Sequence, residues 1–104
     1  SFKTTALYKP GRCQELLGDS TGALDSYKSL LYRYQVSTRL GEQPDSVWVL
    51  KAADALFGIC LKRGGADDRQ SAEDMIAWLR KSNLLPEKEV KIRSDELERA
   101  KRRL

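Results

Sequence analysis

The chain has 104 residues, of which 40% are apolar and 33% charged, with a formal net charge of +4 and no histidine. That length bounds it to one domain or one part of a longer array, with a core too small to enclose a bulky cofactor. No stretch approaches the roughly 18 uninterrupted apolar residues of a membrane span, and the absence of histidine removes the commonest general base and the commonest zinc ligand.

In chain order the pattern predicts five helices. The first covers roughly residues 2–17, with Ala6, Leu7, Cys13, Leu16 and Leu17 on one apolar face. Pro10 removes a backbone donor there, so the helix either kinks at Pro10 or starts close to it. Gly18 ends it. Asp19 or Ser20 caps a second helix of about 20 residues, in which Leu24, Tyr27, Leu31 and Tyr34 form a stripe at spacings of three and four. Gly41 closes that helix. Pro44, Asp45 and Ser46 open the third, whose buried face is Trp48, Ala52, Ala55, Leu56 and Ile59. Lys62 and Arg63 suit its last turn, where they complement the helix dipole. Gly64-Gly65 breaks the chain, and Asp67 or Asp68 caps a fourth helix with the stripe Ala72, Met75, Ile76 and Leu79. Pro86 begins the last segment. Residues 86–104 read either as one helix or as two pieces bent near Arg93, with Val90, Leu97, Ala100 and Leu104 as the apolar edge.

An internal repeat at an offset of 49 residues organises these elements. Ala6, Leu7, Tyr8, Asp19, Ala23, Asp25, Tyr27 and Leu30 return as Ala55, Leu56, Phe57, Asp68, Ala72, Asp74, Ile76 and Leu79. Six of the eight pairs are identical and the other two pair large apolar residues. Repetition of small and bulky apolar residues at helical spacing predicts stacked helix pairs, an architecture that usually binds other proteins.

The stretch Ala6–Asp19 resembles the first helix and turn of a tetratricopeptide repeat, and Gly22–Leu31 resembles its second helix. Leu7, Gly11, Gly18, Asp19, Ala23 and Tyr27 stand at the spacing of that family. The resemblance implies that Gly11 and Ala23 let the paired helices approach and that Tyr27 fills the space between repeats. Pro10, Gln14 and Gln35 depart from the pattern. In the second copy Leu56, Ala72, Ile76 and Leu79 match, but Cys60 replaces the glycine and Asp67-Asp68 replaces Gly-Asp. The repeat spacing is 49, against about 34 in the family, which places the extra residues in lengthened helices around Val36–Val49.

The expected fold is therefore all-α. It is a single domain, 1–104, of antiparallel helix pairs (about 2–40 and about 45–82) with a capping helix at about 86–104. The resemblance further implies a right-handed solenoid with a concave groove lined by the first helix of each pair, here the end of a longer chain. Carried over by position, the groove residues are Thr5, Tyr8, Arg12, Glu15, Asp54, Phe57 and Leu61. Arg12 would pair with a carboxylate of a bound peptide, and Tyr8 would offer a flat apolar contact with a polar tip.

The expected function is scaffolding or adaptor binding of a protein or peptide, without catalysis, metal, cofactor or small-molecule substrate. The whole charge excess lies in residues 80–104, with nine Lys/Arg against five Asp/Glu, so contact with nucleic acid or an anionic surface is the alternative. Acidic residues interleave with those cations and no aromatic follows Trp78, which favours a solvated face with ion pairs. A purely structural cap or self-association segment is a third reading. Cys13 and Cys60 form no metal or redox spacing and are expected as buried free thiols, with a disulfide as the alternative in a secreted protein. Cytoplasm and bacterial envelope both remain open.

Overall fold

The computed structural model describes residues 4–42 and 45–103, and for residues 4–7 the backbone alone. Those residues form five helices: α1 (Thr4–Leu16), α2 (Ser20–Arg39), α3 (Val47–Arg63), α4 (Ala66–Ser82) and α5 (Glu87–Arg102). No strand occurs among the described residues. The all-α expectation therefore holds. The chain divides into two compact units, 1–56 and 57–104, and the division falls inside α3 between Leu56 and Phe57.

In the first unit α1 packs against α2 across the turn Leu17–Asp19. Gly18 adopts φ +83° there, a conformation that costs glycine nothing. Asp19 is the N-cap of α2, and its carboxylate accepts from Gly22 N at 2.9 Å. Pro10 does not end α1, which runs on either side of it.

The face that α1 turns to α2 differs from the expected apolar stripe. Gly11 is buried, and a Cβ placed on it would lie 2.6 Å from Tyr27 Cε1. Gln14 lies 2.6 Å from Ser26 Oγ, and Tyr27 donates to Glu15 Oε1 at 2.7 Å. At 100° per residue, positions 8, 11, 14 and 15 share one side of the helix. Cys13, Leu16 and Leu17 fall on the other side. Cys13 is accordingly exposed rather than buried, Leu16 is 71% exposed and Leu17 85%. Apolar periodicity misplaced this face because the close approach at Gly11, rather than the count of apolar residues, decides which side meets α2.

In α2 the expected stripe is buried at Leu24, Tyr27 and Leu31, as is Leu30, which was expected to widen it; Ala23 joins them, while Tyr34 is half-buried. The start of α3 uses Asp45, whose carboxylate accepts from Val47 N at 2.9 Å. Pro44, expected in that start, lies outside the described residues, as do Leu104 and the beginning of the expected first helix. Tyr8 joins the N-terminal part of α3 to this unit, its ring 5.3 Å from that of Trp48 and 5.8 Å from that of Tyr27.

The second unit holds the end of α3 with α4 and α5. Gly64, at φ +66°, ends α3. Helix α4 starts earlier than expected, at Ala66. Asp68 is not its N-cap but sits in its first turn, accepting from Gly65 N at 3.2 Å and pairing with Arg63 at 3.4 Å. The repeated acidic residues Asp19 and Asp68 thus do different jobs, since α4 begins three residues sooner in the repeat than α2. The repeated apolar positions agree better: Ala23 and Ala72, Tyr27 and Ile76, and Leu30 and Leu79 are all buried. Asn83, at φ 57°, closes α4. Residues 87–102 form one unbroken helix, which settles the alternative of two pieces. Its Val90 and Leu97 are buried, and Cys60 is a buried free thiol.

Candidate functional site

Five of the seven residues expected to line a groove fall in the first unit. Thr5 lies in α1, with its side chain outside the described residues. Tyr8 is half-buried between the rings of Tyr27 and Trp48, whose indole also carries Lys51 Nζ at 4.5 Å. Lys51 thereby makes a cation–π contact on a partly exposed aromatic patch.

Glu15 links two groups. It accepts from the buried Tyr27 hydroxyl at 2.7 Å and pairs with Arg12 Nη1 at 3.4 Å. Burial, reinforced by donation to the charged Glu15 carboxylate, pushes the Tyr27 phenol well above its ordinary 10.0. Tyr8 and Glu15 thus have partners within their own unit, while the Arg12 side chain is about half exposed. Asp54 is exposed on α3.

Phe57 and Leu61 belong to the second unit. Phe57 is buried at 5% exposure and is part of the core. Leu61 is half-buried and lines an open groove between α3 and α5. The groove has a volume of about 400 Å³, with Gly58, Leu61 and Lys62 on one wall and Glu96, Ala100 and Arg103 on the other. Ligand pockets run from roughly 300 to 1,000 Å³. A smaller cavity of about 30 Å³, reaching Cys60 and Leu97, shares Leu61 and Ala100 with it.

Of the groove residues only Leu61 was expected; Gly58, Lys62, Glu96, Ala100 and Arg103 were missed, and Gly58 is the most telling of them. A glycine inside a helix costs about 0.5–1 kcal/mol relative to alanine. At Gly58 no close packing accounts for that cost, because an added Cβ would meet nothing within 4 Å. The resemblance singled out Gly11 in the sequence, but only the three-dimensional surroundings show that Gly58 faces open space.

The charges around the groove are unevenly compensated. Lys101 bonds to Glu73 across to α4 and lies 3.3 Å from Glu98, Arg63 is held by Asp68, and Lys91 by Asp95 at 3.0 Å. Donation to the Glu73 carboxylate holds the Lys101 ammonium above its usual range. Among the described residues no ion pair engages Lys62, Arg99, Arg102 or Arg103, nor Glu96.

Among the described residues no group of three or more His, Cys, Asp or Glu is placed to hold a metal ion, and no helix is long and apolar enough to cross a membrane. Comparison with protein-family models, with curated proteins and with solved structures found no match.

Proposed function

We propose that this chain is a non-catalytic protein-binding module, built of tetratricopeptide-like helix pairs, that receives a peptide segment of its partner. The observation that carries the reading is the open groove between α3 and α5, with Leu61 in its wall and Gly58 keeping one side low. A surface of this kind gives a bound side chain apolar contact on rigid helices, which limits the ordering cost of binding. The close approach of α1 and α2 at Gly11 supports the tetratricopeptide-like pairing, since a small residue at Gly11 that lets the paired helices approach is what that resemblance implies. The half-exposed Arg12, on the first unit, is a separate candidate contact.

The test is selection from a displayed random peptide library, followed by binding to Gly58→Leu and Arg12→Glu. Enriched peptides should lose about tenfold or more in affinity with at least one variant. Circular dichroism and melting should stay close to wild type. An absence of enriched peptides, or binding indifferent to both changes, overturns the reading. A structural role as a cap or self-association segment is favoured by Leu16 and Leu17, exposed at the end of α1. Sedimentation that shifts with concentration, and is abolished by Leu16→Ser with Leu17→Ser, would select that role instead.

A further inference from the structure

Given that the chain binds a peptide, we propose that the groove between α3 and α5 selects an acidic segment carrying one aliphatic anchor residue. Its walls supply two kinds of contact. Leu61, Ala100 and the bare backbone at Gly58 form an apolar floor. Because a side-chain atom at Gly58 would touch nothing within 4 Å, the space above it is open to an incoming side chain. Lys62 and Arg103 stand at the same groove without an ionic partner among the described residues. Arg99 and Arg102, also unpaired, lie one helical turn and one residue before Arg103.

Elsewhere in this unit Arg63, Arg80, Lys91, Arg93 and Lys101 are each matched by a carboxylate of the chain itself, while Arg69, Lys81 and Lys88, which do not line this groove, also have no ion pair among the described residues. At the groove itself an anionic partner is met by Lys62 and Arg103, the two lining cations, which the fold leaves without a carboxylate among the described residues. Glu96, on the α5 wall, repels acids at one point and sets where they may sit. That carboxylate and the apolar floor favour a peptide over nucleic acid. Phosphates would gain from the cations but nothing from Leu61, and no aromatic residue after Trp78 is present to stack bases.

The test uses short fluorescent peptides in a polarisation assay with the whole chain. One probe has glutamates around a single leucine. Its controls replace the leucine with serine, or every glutamate with glutamine. The first probe should bind, and each control should bind about tenfold more weakly or worse. Gly58→Leu should weaken the acidic probe about tenfold by filling the floor, as should Lys62→Glu with Arg103→Glu by reversing the rim. Glu96→Gln, at an exposed and unpaired site, should tighten it, which keeps the test decisive if Gly58→Leu fails to fold.

Equal binding of the glutamine control overturns the acidic preference while leaving a peptide-binding module intact. No binding of any peptide overturns both. Tighter binding of oligothymidylate or phosphatidylserine vesicles, unaffected by Gly58→Leu, assigns the cations to nucleic acid or membrane and overturns the proposal. A dimer that Gly58→Leu dissociates makes the groove a self-interface and overturns it as well.

Discussion

Gly11 and Gly58 are both glycines inside helices, and they are there for opposite reasons. At Gly11 the neighbouring helix fills the space: Tyr27 is fully buried, and its ring would lie 2.6 Å from an added Cβ. At Gly58 the space is empty, and the glycine lines an open groove. The first glycine serves packing, so its loss is felt in stability. The second weakens its helix without a packing return, so its loss changes the groove and not the core. A missing side chain is informative only when its surroundings are known.

The largest effect that breaks or sharpens this contrast is expected at Gly11. Gly11→Leu forces a side chain against a ring that has no room to move, and overpacking of this kind costs about 1–3 kcal/mol. Urea unfolding reads that loss directly. A variant as stable as wild type would mean that α1 and α2 do not approach as described.

A second effect isolates the Tyr27 anchor of that contact. Burial and the Glu15 hydrogen bond raise its folded pKa above the 10.0 of the unfolded chain. The stabilisation is complete below about pH 10 and is lost as pH rises, because the unfolded state then releases a proton that the folded state keeps. Tyr34, raised chiefly by burial, acts in the same direction, as does Lys101, raised by its bond to Glu73. Unfolding midpoints followed from about pH 8 to about pH 11 should therefore fall less steeply in Tyr27→Phe than in wild type. Parallel profiles would show that the phenol is not held protonated.

The smallest effect has the opposite sign. Gly58→Ala removes the helix penalty of glycine and meets no neighbour, so it should stabilise the chain by about 0.5–1 kcal/mol. A rise in melting temperature checks it. Destabilisation would place a neighbour over Gly58 and erase the difference between the two glycines.

The helices themselves were legible in the sequence. Gly18, Gly41, Gly64 and Asn83 punctuate the chain where four of the five helices end, and the apolar stripes of α2 and α4 are buried as their spacing predicts. Gly11 was legible too, through the resemblance that makes it a small residue where the paired helices approach; that Tyr27 is what meets it was not. The face of α1 was not. Cys13, Leu16 and Leu17 outnumber the apolar residues on the side that packs, but shape at Gly11 outweighs that count. The groove was least legible. Leu61 was reached by position, whereas Gly58, Glu96, Ala100 and Arg103 come from two helices separated along the chain and share no local pattern.

The sequence by itself determined the all-α class, the helix order and most of the turns. These follow from nearest-neighbour physics: periodicity, caps, and residues that tolerate positive φ. Tertiary structure alone decided which side of α1 is buried, which cations have partners and which glycine leaves a space. Each of those depends on distances between atoms far apart in the chain, and such distances are set only when helices pack.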